Sequence, residues 1–222
     1  MGDDDSEDRW LQRTIDGCEL AHRRLRITLG RIDDDAVRAP SRLADWSIGH
    51  LLTHIARNAD GHTRILEGAM KGEHLQQYAG GVESRNADIQ AGAGRSAQEL
   101  IDDVVDSFVR LERVWAAMTP GAWDGHGVAG DEVRPCRQLP FFRWREVEVH
   151  HVDLGLGYEP SDWPEEYVAI ELPAALRHLP ERLADHGARA ELLGWLTDRA
   201  GQPPTLELGA WLAQPADYRL DG

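Results

Sequence analysis

Apolar residues recur at three- and four-residue steps in several stretches of the chain, and this spacing predicts amphipathic helices. From Asp8 to about Arg31 the stripe is Leu11, Ile15, Cys18, Leu25 and Leu29, ending near Gly30. A second stripe runs through Ile48, Leu51, Leu52, Ile55, Ala59 and Leu66, after Asp45-Trp46-Ser47 supplies N-cap residues. The third helix has the sharpest start, because Ser96 and Glu99 form a capping box ahead of Leu100, Val104, Phe108, Leu111, Trp115 and Met118. Thr119-Pro120-Gly121 stops it. Pro140 stands where a helix takes proline at N1, and opens a fourth helix over Arg143 to Gly155. Four helices with long crossovers and no internal repeat predict a four-helix bundle.

The intervening stretches carry less pattern. Lys71 to Arg95 holds Gly72, Gly80, Gly81, Gly92 and Gly94 with Tyr78, Arg85 and Asn86, and reads as a long connection of the kind that is either functional or disordered. Gly121 to Leu139 reads as a second loop. Beyond Gly157 the pattern changes: Trp163-Pro164, Leu172-Pro173 and Leu179-Pro180 punctuate short helical pieces, and Ala190 to Arg199 reads as one more helix before Gly201-Gln202-Pro203-Pro204. Thr205-Leu206-Glu207-Leu208 alternates as a short strand does. The expected architecture is therefore mainly α, with a bundle over residues 1–157 and a small C-terminal α+β domain over 158–222.

Composition narrows the partners. The 222-residue chain carries a formal charge of -15 and a sequence pI near 5.0, which argues against phosphate backbones and anionic membrane surfaces. Small molecules are the expected partners. Lys71 is the single lysine, so positive charge is almost all arginine, which suits bidentate carboxylate capture but equally fits GC-rich codon usage. No apolar run approaches the ~20 residues of a membrane span. The acidic start, Met1 to Asp8, has no secretory character and reads as a disordered tail, so a cytoplasmic protein is expected. Cys18 lies on an apolar stripe and reads as core; Cys136 belongs to no paired motif.

Candidate chemistry centres on the fourth helix. Glu146 and His150, four apart, project from one helical face, with Asp153 on the same stripe. They could share a metal ion, and by spacing alone they also fit an ion pair on a solvated face. Glu148 and His151 lie about 200° and 140° round the helix from Glu146 and cannot join the same ion. Of the other histidines, His22, His74, His126, His178 and His186 sit in polar or turn-like contexts with no expected role, and His62 reads as a core histidine. His54 stands at the border of the second stripe, with Asn58 one turn on as its expected hydrogen-bond partner. Two imidazoles and a carboxylate from two helices leave a coordination position open, as catalytic zinc sites do, and the set also suits iron(II).

Asp45 to Asp60 and Arg143 to Tyr158 resemble the mycothiol-dependent maleylpyruvate isomerases, within the DinB-like family of metal-binding four-helix bundles. Gln77-Tyr78-Ala79-Gly80-Gly81, Arg85-Asn86-Ala87-Asp88-Ile89 and Trp195-Leu196-Thr197-Asp198-Arg199 resemble further family segments, so the likeness runs from about residue 10 to 200. The resemblance implies that His54, Glu146 and His150 hold a divalent metal, usually zinc. It places a catalytic arginine at Arg199, with Arg219 a weaker candidate; Asp198 stands where the family commonly has glycine. Arg85 and Asn58 are the expected substrate contacts. The implied activity is isomerisation of maleylpyruvate to fumarylpyruvate in aromatic catabolism, with mycothiol as thiol cosubstrate. The alternatives are a mycothiol S-transferase acting on another electrophile and a non-catalytic metal-binding bundle. The expected partners are a small thiol and a small dicarboxylate-type substrate, with no nucleic acid or membrane, the protein being a monomer or homodimer.

Overall fold

Four long helices form the core of the computed structural model, which describes residues 3–183, 186–199 and 201–206. They are α1 (Asp3–Leu29), α3 (Ile48–Ala69), α5 (Ala97–Ala117) and α7 (Leu139–Asp153). Helix α3 packs against α5 and α1 against α7, while α3–α7 and α1–α5 contacts close the ring. Short α2 (Asp34–Arg38), α4 (Gly81–Gly92) and α6 (Pro120–Trp123) lie in the crossovers. The fold is the expected bundle.

Local chemistry explains where the helices begin. Ser47 accepts from the His50 backbone N–H while the His50 side chain returns to the Ser47 backbone, and Ser96 and Glu99 do the same at α5. Helix α1 starts at Asp3, so from there on the acidic run expected to be a disordered tail is helical. Its buried edge includes Thr14, Cys18, Ala21, His22, Leu25 and Leu29, with Ile15 only half-buried. Gly17 is what lets α7 come close: a Cβ there would sit 2.4 Å from the Trp144 indole.

Both expected loops contain regular structure. Within 71–95 the structure forms α4, whose only buried residues are Ile89 and Gly92, so it has no apolar stripe to read. Within 121–139 it forms a hairpin of β1 (His126–Ala129) and β2 (Glu132–Pro135), closed by Gly130-Asp131 with Gly130 at φ +63°. Four-residue strands are too short to show a clear alternation. This hairpin is the single sheet among the described residues, and Gln76 bridges to Val128 beside it.

The chain divides into two units, Met1–Asp162 and Trp163–Gly222. Taken by itself, the second contains α8 (Glu165–Arg182) and α9 (His186–Leu196). Helix α8 runs continuously through Pro173 and Pro180, where separate short pieces were expected. Each proline forfeits one backbone hydrogen bond, while the residues between them keep theirs. No strand occurs among the described residues of this unit: Thr205 and Leu206 are irregular, and Glu207, Leu208 and Arg219 lie outside the described residues. Among the described residues no helix is long and apolar enough to cross a membrane.

Candidate metal centre

Helix α3 is buried around most of its circumference, and the polar residues His54, Asn58 and His62 stand one turn apart within it. Facing them, α7 presents Glu146 and His150. His54 Nε2 lies 3.0 Å from His150 Nε2 and 3.2 Å from Glu146 Oε2, and His150 Nε2 lies 3.5 Å from Glu146 Oε2. Three ligand atoms thus form a triangle, and these residues make the metal-competent cluster found among the described residues. Tetrahedral coordination at about 2.0–2.1 Å requires ligand atoms roughly 3.3 Å apart, so the edges of this triangle fit a zinc-sized ion. The donor set also fits, with two imidazoles and one carboxylate.

The surroundings set the orientation and charge of these side chains. His150 Nδ1–H donates to Asp153 Oδ2 at 2.9 Å, which fixes the ring and turns Nε2 toward the cluster. Asp153 therefore completes the stripe read in the sequence. Burial holds the His54 imidazole neutral, lowering its pKa to about 4 against the pull of Glu146. Burial opposes charge on His150 as well, but hydrogen bonds to Asp153 and Glu146 outweigh it and raise the pKa to about 9. Burial likewise opposes charge on Glu146, yet hydrogen bonds from His150 and His54 hold its carboxyl well below the usual range. The side chains of His54, Glu146 and His150 are 7%, 24% and 16% exposed, which excludes a solvated surface ion pair.

Arg85 of α4 reaches the centre from the side. Its Nη2 lies 2.7 Å from His54 Nδ1 and its Nη1 donates to Asn86 Oδ1 at 2.9 Å, with the Tyr78 hydroxyl close enough to feel its charge. Its guanidinium stands over the Trp46 ring, and Trp46 meets His54 edge-on at 5.6 Å. Trp46 is a wall of the site that periodicity could not reveal, because it precedes the helix it closes. The same indole lines two surface clefts, one with Arg38, Arg42 and His50 and the other with Asn86 and Gln90.

Asn58 is placed differently from the expectation. Its carboxamide oxygen accepts from Arg143 Nη1 at 2.7 Å and it is buried in the bundle, so it does not steady His54. The bulk of Arg143, which points into the core one turn before Glu146, takes the acceptor first. His22, for which no role was expected, belongs to the same network: Nδ1–H donates to Glu112 at 2.8 Å and Nε2 accepts from Arg143 Nε at 3.4 Å. Its position between Cys18 and Leu25 on the apolar stripe was the signal for burial. His62 is buried as expected. Glu148 and His151 face elsewhere, as their helical angles require: Glu148 accepts from Trp144 Nε1 and Tyr158, and His151 pairs with Thr28.

In the second unit Arg199 is exposed, and its guanidinium donates to the Thr197 carbonyl. Asp198, where the family commonly has glycine, has φ +58° at the end of α9, with its N–H and that of Arg199 returning to Trp195 and Gly194. Glycine relieves strain at such a helix end, and aspartate tolerates it.

Comparison with known proteins gives this arrangement a lineage. The family model described as the mycothiol maleylpyruvate isomerase N-terminal domain matches residues 18–155, which include all three cluster residues. A crystal structure of the mycothiol-dependent maleylpyruvate isomerase is 26% identical with a TM-score of 0.68, over 73% of this chain and 69% of that one. The crystal structure of a histidine-to-alanine mutant of that isomerase shares the fold at 24% identity, with a TM-score of 0.69 over 78% and 72% of the two chains. No curated protein matches the sequence. Because the family match spans most of the bundle and more than half of the chain, the protein belongs to the mycothiol maleylpyruvate isomerase N-terminal domain family.

Proposed function

We propose that the protein is a metal- and mycothiol-dependent enzyme that isomerises maleylpyruvate to fumarylpyruvate. The observation that carries this reading is the convergence of His54 Nε2, His150 Nε2 and Glu146 Oε2 on one point in a member of this family. His54, Glu146 and His150 would hold a divalent ion, zinc being the best match to the donor set, and Asp153 would fix the His150 ring. When bound, that ion lowers the pKa of a thiol that joins it, so a thiolate exists near neutral pH.

The chemistry then asks little of the protein beyond positioning. The thiolate sulfur adds to the cis double bond β to the ketone, and the displaced electron pair moves to the ketone oxygen. Rotation about the new single bond and return of the pair expel the thiolate and leave the trans isomer, with the thiol regenerated. Arg85 and Arg199 are the proposed carboxylate clamps, because a planar guanidinium fixes both position and charge. Neither Cys18 nor Cys136 serves as nucleophile, since both are buried and burial raises both thiol pKa values. Residues 1–157 and 158–222 are proposed as bundle and appended domain of a cytoplasmic enzyme of aromatic catabolism.

Incubation of zinc-loaded protein with mycothiol and maleylpyruvate tests the reading. Fumarylpyruvate should form with the thiol recovered. A stable thiol adduct would instead identify an S-transferase, and absence of any turnover would leave a non-catalytic bundle.

A further inference from the structure

Arg85 and a metal ion make opposite demands on His54. An arginine has only N–H groups to offer, so the 2.7 Å contact from Arg85 Nη2 requires a lone pair on His54 Nδ1, and the ring hydrogen then sits on Nε2. Nε2 is the atom that faces Glu146 and His150. Ligation through Nε2 needs the lone pair there, which sends the ring hydrogen to Nδ1 and sets one N–H against another across 2.7 Å. A neutral imidazole cannot satisfy both partners.

We propose that metal loading releases Arg85 from His54 and so creates a carboxylate-binding site between Arg85 and the Tyr78 hydroxyl. The inference rests on the metal-site reading above and adds to it an order of events, in which the anion site forms only after the metal site is filled. Among the described residues the hydrogen-bond and ring partners of Arg85 are uncharged, namely His54, Asn86 and the Trp46 face, and the Tyr78 phenol lies within its field. A half-buried guanidinium with such partners gains most from a carboxylate once its bond to His54 is lost. Trp46 and Asn86 keep it in place meanwhile. Tyr78 is also built in, because a Cβ on Gly61 would meet the Gln77 side chain at 2.6 Å and the Tyr78 ring at 3.2 Å. Gly61 lies two turns beyond His54 on α3, so the missing side chain brings the phenol to the metal-site face. Gln77 Nε2 donates to the Tyr78 oxygen at 3.3 Å, and burial raises the phenol pKa, which leaves its O–H as a donor.

Calorimetric titration with succinate, a saturated dicarboxylate that cannot isomerise, separates the outcomes. Zinc-loaded protein should bind succinate at least about tenfold more tightly than metal-free protein, and by reciprocity succinate should tighten zinc binding by the same factor. In Arg85→Met, zinc should still bind while the succinate gain disappears; Tyr78→Phe should lose part of it. Equal succinate affinity with and without zinc would overturn the inference and leave the isomerase reading intact. Undiminished zinc-dependent binding in Arg85→Met would also overturn it, by showing that the carboxylate sits on the metal alone. Failure of the protein to bind zinc at all would overturn both readings.

Discussion

Helix α7 contributes to two buried polar clusters three residues apart, and they are built on opposite principles. Around Arg143 the groups alternate: His22 donates to Glu112, Arg143 donates to His22 and to Asn58, and the guanidinium lies over Phe108. Among these groups only Arg143 Nη2 lacks a protein acceptor among the described residues. Around Glu146 the groups converge, with two imidazole nitrogens and a carboxylate oxygen aimed at one another. Alternation satisfies a polar cluster from within and makes it a structural element. Convergence of three atoms that can each ligate a metal leaves them no alternating chain of donors and acceptors, an arrangement that suits a cation. Burial and polarity are common to both clusters, so neither property by itself identifies the site.

Substitutions should separate the two. His54→Ala removes a converging ligand and should weaken zinc binding more than about a hundredfold while helical circular dichroism is kept; equilibrium dialysis against zinc provides the check. Unfolding of that variant would assign the metal a structural role. Asn58→Ala should do the reverse: it strips the buried Arg143 of an acceptor and should cost about 1–3 kcal/mol in urea unfolding, with zinc affinity nearly unchanged. Asp153→Asn leaves all three ligands in place but loosens the His150 ring, and should lower zinc affinity about 10–100-fold.

The pH dependence of metal binding distinguishes the histidines of the centre from each other. His54 is already neutral above about pH 4, whereas His150 keeps a proton up to about pH 9 that zinc must displace. Apparent zinc affinity should therefore rise with pH, about tenfold per unit through the neutral range, and level off above about pH 9. A profile flat from pH 6 upward would remove the Asp153–His150–Glu146 arrangement from the explanation.

Particular residues show how far a one-dimensional pattern reaches. The N-cap at Ser47, the capping box at Ser96 and the stripes of α3 and α5 were legible because each depends on neighbours within one or two turns. Glu146 and His150 were legible as a pair for the same reason. His54 could be proposed as their partner only from its border position and from family resemblance, because 92 residues separate it from Glu146. Helix α4 was missed because it buries almost nothing, and the β1–β2 hairpin because its strands are too short for a period to register. The acidic N-terminus was misread as a tail, since charge density signals disorder only when no helix dipole and no continuing apolar stripe accompany it.

The sequence by itself determined the bundle class, the starts of α3 and α5 and the Glu146–His150 pair on α7, all consequences of a 3.6-residue period and of local capping. Only the tertiary structure decided that His54 completes the triangle, that Arg85 and Trp46 close on it, and that Asn58 serves Arg143. Those choices depend on which atom of a side chain meets which atom of another helix. A helical period specifies the face on which a residue stands; packing alone selects the partner its polar atoms find.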